Sequence, residues 1–151
     1  MVPIGDVYEG PFSTTLAEDE LLTEIRLPGA SGAVGSAYQA LDQQASGYPI
    51  AGVAVVLGAI NRVGVTGVGD HPFRAAGVEA ALVDLARDGS ALAPAEMDSA
   101  ALDAAVASIT EEIDVNSDIH ADAEYRAAMA REMAKRAIRV AIARLRGDGQ
   151  P

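Results

Sequence analysis

At 151 residues the chain is about one domain long, with 50% apolar residues and a formal net charge of −11, a balance that argues against a nucleic-acid surface. It has no cysteine, which excludes disulfides, thiolate metal sites and a cysteine nucleophile. No uncharged apolar run approaches the ~18 residues of a membrane span. The opening MVPIGDVYEG lacks the basic and apolar regions of a signal peptide, so a soluble cytoplasmic domain is expected.

In chain order, residues 1–19 read as a lead-in segment with little regular pattern. In ELLTEIRLP, Glu24 and Arg26 alternate with Ile25 and Leu27, the period-2 sign of a half-buried strand, which Pro28, Gly29 and Gly32 end. GSAYQAL is a second strand. The β-branched, glycine-broken run from Ile50 to Ile60 is a central third, and a tight connection at Asn61 and Arg62 leads to a fourth, Val63 to Val68. The pattern then turns helical. Pro72 stands at the permitted start of a first helix, with Val78, Leu82 and Leu85 on one face and Gly89 at its stop. After a loop with Pro94, a second helix aligns Leu102, Val106, Ile109 and Ile113.

Ser117 or Asp118 caps a third helix, which stacks Tyr125, Met129, Met133, Ala137 and Ala141 in steps of four, a stripe that reads as core against the sheet. The whole is an α+β fold: an antiparallel sheet of three to four strands followed by three helices packed on one face. There is one domain, residues 20–146, with a tail at 147–151.

Charge is unevenly spread. Residues 1–125 carry 4 basic and 20 acidic side chains, and residues 126–151 carry 7 and 2. The basic cluster, Arg126, Arg131, Lys135, Arg136, Arg139, Arg144 and Arg146, reads as a solvated face that complements the negative end of its helix; docking of an acidic partner is the other reading. TGVGD between strand and helix lacks the glycine spacing and the Lys-Ser/Thr ending of a phosphate loop, and Asp70 would repel phosphate. Acidic residues gather at Glu111, Glu112, Asp114, Asp118, Asp122 and Glu124, without EF-hand spacing. His120 among them suits capping or packing better than general base work. With no Gly-x-Ser-x-Gly elbow either, the residues specify no catalytic group and no metal site. One aromatic stands out: Tyr48, in the polar loop ahead of the central strand, either lids the core or faces a ligand.

Four blocks in order, GPFSTTLAEDELLTEIRLP, GSAYQALDQQASGYPIAGVAVVL, VTGVGDHPFRAAGVEAAL and DIHADAEYRAAMAREMAKRAI, resemble the C-terminal domain of the flavoprotein (medium) subunit of aerobic carbon monoxide dehydrogenase and related molybdenum hydroxylases. The resemblance implies an α+β unit that closes over the isoalloxazine ring of FAD. It implies an oxidoreductase assembly in which FAD takes electrons from an iron–sulfur small subunit, fed by a molybdenum large subunit, and passes them to an external acceptor. ASGYPI would then put Tyr48 beside the flavin, with Ser46 and Gly47 shaping its approach.

The glycine-rich FAD loops of the family's N-terminal half lie outside this chain, and residues 1–19 would continue from that half. FAD would be shared with it, and the isolated chain is expected to hold flavin weakly and to be inactive. Ala40 stands where many relatives have lysine, and GAINRVGV crosses where they have a longer hairpin. Both departures favour the alternative of a non-catalytic interaction domain, or a truncated remnant, with no flavin role.

Overall fold

A computed structural model describes residues 1–10, 12–27, 29, 32–87 and 99–147. After a single 3₁₀ turn at Ile4–Asp6, strands β1 (Tyr8–Gly10) and β2 (Ser13–Thr14) form a small antiparallel hairpin. The Tyr8 ring stacks on His71, centroids 6.0 Å apart, which ties the lead-in segment to the main body.

The main sheet is antiparallel, in the order β3 (Gly35–Asp42), β4 (Pro49–Leu57), β5 (Arg62–Thr66), β6 (Phe73–Arg74). Helices α1 (Ala76–Arg87), α2 (Ser99–Val106) and α3 (Ala123–Arg146) follow. This is the α+β architecture expected. The central strand shows why. Along β4, Ala51, Val53, Val55 and Leu57 are buried while Ala54 and Val56 are exposed, so the period-2 pleat gives it one core face. Helix α3 lies across β3 and β4, and α1 packs against β5.

The core joins Val53, Val55, Val63 and Val65 of the sheet to Val78 and Leu82 of α1, Leu102 and Val106 of α2, and Ile138 and Ile142 of α3. Full burial of each such side chain contributes about 1.5–3 kcal/mol. Four alanines of α3, at 130, 134, 137 and 141, are wholly buried; their small side chains let the helix backbone approach the sheet closely.

Several sequence expectations need correction. Residues 20–27 form no strand: the segment is exposed, and none of the described residues pairs with it. The fourth strand of the sheet is instead β6, in the stretch read as the start of the first helix, and that helix begins at Ala76 rather than near Pro72. Neither Ser117 nor Asp118 caps α3. Asp122 does, its carboxylate accepting the Tyr125 N–H at 2.7 Å.

The buried stripe of α3 also starts one position later than expected, at Arg126 and Ala130, leaving Tyr125 45% exposed. At the far end Gly147, φ +82°, closes the helix by donating to the carbonyls of Ala143 and Arg144. The side chain of Leu85, together with Gly89, Pro94 and residues 148–151, lies outside the described residues.

The basic face is only partly a solvated one. Lys135 pairs with Asp103 at 2.8 Å and with Glu132 at 3.3 Å, Arg136 pairs with Glu132, and Arg144 donates to the carbonyl of Ser36. Arg126, at 5% exposure, belongs to the interior. Near the other end of the sheet, Glu79 of α1 accepts the Val63 N–H at 3.0 Å and pairs with Arg74. Burial raises its carboxyl pKa, but these partners, with Arg62, outweigh burial and leave it below the usual range.

Candidate functional site

Ser46, Gly47 and Tyr48 sit together on the turn that joins β3 to β4. The turn closes on itself: the Gln43 N–H donates to the Tyr48 carbonyl and the Gly47 N–H to the Gln43 carbonyl, both at 2.8 Å. Gly47 takes φ +72°, a left-handed conformation that costs glycine little, which explains its place here. The Ser46 hydroxyl donates to Gln43 Oε1 and receives the Tyr48 N–H at 3.4 Å. Gln43 Nε2 in turn donates to His120 Nδ1 at 2.9 Å. This relay tethers the turn to the segment ahead of α3. Tyr48 itself is 75% exposed, so it is not a lid on the core.

Beside the ring lies a cleft of about 360 Å³, lined by Gln43, Ser46, Tyr48, Pro49, Ile50, Gly67, Asn116, Asp118, His120 and Arg126. Its floor is built by α3. Arg126 Nη1 donates to the carbonyls of Ile50 (2.9 Å) and Gly67 (2.6 Å), and Nη2 to Asp118 Oδ2 (2.6 Å). Its Nε is buried without a partner. Asp118 Oδ1 accepts the backbone N–H groups of His120 and Ala121. Those amides, chiefly that of His120, together with the Arg126 guanidinium hold the Asp118 carboxyl at about 2. The Asn116 N–H donates to the Val68 carbonyl at 2.8 Å, fastening the same segment to the loop after β5.

Of the acidic residues singled out in sequence, only Asp118 lines this cleft, and among the described residues no group of three or more His, Asp or Glu side chains could hold a metal ion. Sequence reasoning missed Gln43, Asn116 and Arg126. The first two had no signal. Arg126 had one, since it stands four residues before Ala130 and on the same face as Met133 and Ala137. A second hollow, about 530 Å³, lies by the β4–β5 turn and α1, away from Tyr48. Its carboxylate, Glu79, is already engaged by Val63, Arg74 and Arg62.

The CO dehydrogenase flavoprotein C-terminal domain family matches residues 36–141, a span that contains all but the first residue of β3, the Tyr48 turn and most of α3. The chain belongs to that family. It is 34% identical over 149 residues to the carbon monoxide dehydrogenase medium chain of Hydrogenophaga pseudoflava, covering 95% of this chain and 48% of that one. It is 33% identical over 149 residues to the nicotine 6-hydroxylase medium subunit of Paenarthrobacter nicotinovorans, with the same coverage.

In three dimensions it matches reconstituted CO dehydrogenase from Oligotropha carboxidovorans with a TM-score of 0.76 at 35% identity, over 92% of this chain and 47% of that one. The chain therefore spans about half the length of the curated relatives it matches. Among the described residues, no helix is long and apolar enough to cross a membrane.

Proposed function

We propose that this chain is the C-terminal part of a molybdenum hydroxylase flavoprotein subunit, in which the Tyr48 turn forms one wall of an FAD site. The observation that carries the reading is the exposed Tyr48 ring, on a turn fixed by its own backbone, inside the residues the flavoprotein family matches. The residues suit such a group. An aromatic face beside a cleft with amide and hydroxyl groups can stack on the edge of a planar heteroaromatic ring and exclude water from it.

FAD, when bound, supplies the electron transfer between the iron–sulfur and molybdenum subunits and an external acceptor. What this chain contributes is position. Gly47 allows the tight turn, and Ser46 accepts the Tyr48 N–H while bonding Gln43. Arg126 holds the strand start behind the ring by way of the Ile50 carbonyl. The partners in this reading are the FAD-binding half of the flavoprotein, the iron–sulfur small subunit and the molybdenum large subunit.

The test is Tyr48→Ala in the reconstituted assembly. Altered flavin fluorescence and absorption with slower flavin reduction is expected. Unchanged spectra, affinity and reduction rate would take Tyr48 out of the site and favour the interaction-domain alternative, to which Ala40 on the open face of β3 also points.

A further inference from the structure

Helix α3 carries basic side chains that the fold uses and others that it does not. Arg126 lies in the interior, Lys135 pairs with Asp103 and Glu132, Arg136 pairs with Glu132, and Arg144 donates to the Ser36 carbonyl. Among the described residues, the guanidinium groups of Arg131, Arg139 and Arg146 have no hydrogen-bond or ion-pair partner. The three stand on one side of the helix, off the buried stripe of Ala130, Ala134, Ala137 and Ala141. At ~1.5 Å of rise per residue they form a row about 22 Å long, with neighbours about 10–12 Å apart.

The helix itself gains little from this row. Its dipole favours cations only within the last turn, which holds Arg144 and Arg146 but not Arg131 or Arg139. Arg131, Lys135 and Arg139 stand four apart, a spacing at which like charges on a helix repel, and only Lys135 is answered by carboxylates.

The rest of the chain is acidic. Residues 1–125 carry 4 basic and 20 acidic side chains, so an acidic surface is repelled by most of the molecule and attracted along this one line. A nucleic-acid duplex is a longer, evenly charged rod. It would carry its phosphates past the row onto Asp122 and Glu124 at the start of α3.

We infer that α3 docks a partner protein through Arg131, Arg139 and Arg146, and that the partner presents an acidic helix to them. An arginine fork takes a carboxylate through two parallel N–H···O bonds, a geometry that a lysine lacks. Carboxylates seven or eight residues apart on a helix repeat at the same distance of about 10–12 Å and on one side. A helix laid along α3 therefore meets the three arginines in turn. Asp122 and Glu124 close the row at one end and fix which way the partner's charges run. None of the three arginines lines the Tyr48 cleft, and the inference goes beyond the flavin reading without depending on it.

The test titrates the full chain with an alanine- and glutamine-based helical peptide of about 22 residues, carrying three glutamates spaced as the arginines are, and follows amide NMR shifts at low salt. The shifts are expected to gather on residues 131–146 and to fade as salt screens the pairs. Arg131→Gln/Arg139→Gln/Arg146→Gln is expected to weaken binding by about tenfold, and Arg139→Gln alone by about two- to threefold. A peptide with the same three glutamates side by side at one end is expected to bind at least about threefold more weakly.

The triple variant keeps or raises the melting temperature, because glutamine suits a helix about as well as arginine and the repulsion around Lys135 is relieved. Shifts that gather elsewhere, equal binding of the two peptides, or tighter binding of a DNA duplex of about 20 base pairs along the row would each overturn the inference. So would a lower melting temperature of the triple variant, which would show that the arginines serve the fold itself.

Discussion

Arg126 donates to the carbonyl oxygen of Gly67 at 2.6 Å, and this contact joins the last helix to the loop after β5. The same guanidinium reaches Ile50 and Asp118, so one buried side chain pins both strands that run into the Tyr48 cleft. Its charge is tolerable inside only because two carbonyls and a carboxylate surround it.

Arg126→Ala is expected to destabilise the fold by about 3 kcal/mol, the lower end of the range for breaking a buried ion pair, because Asp118 is half-exposed and can rehydrate. Arg126→Lys is expected to recover less than half of that, since an ammonium lacks the planar fork that serves the three partners together. Urea denaturation of the three chains measures both effects.

The Asp118 carboxylate, held by the His120 amide first and by the Arg126 guanidinium and Ala121 amide beside it, has a pH signature. In the folded chain the Asp118 carboxyl titrates at about 2 instead of its ordinary 3.8. The unfolded chain therefore takes up this proton first as the pH falls. The contribution of Asp118 to stability is whole above about pH 4 and is lost between about pH 4 and pH 2. Asp118→Asn is expected to flatten that part of the stability–pH curve while leaving its slope between pH 5 and 7 unchanged. Equal acid slopes in the two proteins would show that the amides and the guanidinium around Asp118 do not favour its charged form.

How much of this could be read from the sequence follows the range of each signal. The β-branched, glycine-broken run from Ile50 to Ile60 and the helical spacing of Val78–Leu82 and of Leu102–Val106 are local signals. Each matches a buried face in the structure. The alternation at Glu24–Leu27 is just as clear, yet a strand needs a neighbour, and sequence periodicity does not say where that neighbour lies.

Phe73–Arg74 pairs with only two residues of β5, too short a run to show alternation. Arg126 was grouped with its basic neighbours because charge suggests solvent. Its position on the apolar face, aligned with Ala130 and Met133, was the better guide, and the carbonyls that receive it lie 76 and 59 residues away. The Tyr48 turn was legible through glycine and polarity. Its tether to His120, 77 residues on from Gln43, was not.

That tether makes a different kind of prediction. Ser46 and His120 are exposed and Gln43 is half-buried, and hydrogen bonds between such side chains at the surface contribute little to global stability. Gln43→Ala is expected to change unfolding free energy by no more than about 0.5 kcal/mol. It removes the Gln43 acceptor of the Ser46 hydroxyl and the tether to His120 together, so the Tyr48 amide is expected to exchange several-fold faster with solvent. The Gly47 amide, bonded to the Gln43 backbone carbonyl, should change less. Exchange measured residue by residue separates this local loosening from any change in the whole fold, and equal rates at Tyr48 would show that the relay does not hold the turn.

Two glycines near the same strand make opposite predictions. Gly67 has φ +79°, and a Cβ there would collide with the Pro49 carbonyl directly behind Tyr48. Gly67→Ala combines a strained backbone with displacement of the strand that Arg126 clamps, and a loss of at least about 2 kcal/mol is expected. Gly64, in the middle of β5, has nothing within 4 Å of where its Cβ would stand, and its backbone is that of an ordinary strand. Gly64→Ala narrows the unfolded ensemble without a clash and is expected to stabilise by about 0.4–1 kcal/mol. Thermal or urea melts of the two variants beside the parent decide the matter. A destabilised Gly64→Ala would mean that the open face of the sheet is more closely covered than the isolated chain shows, and a neutral Gly67→Ala would remove the clamp from the account of how Tyr48 is placed.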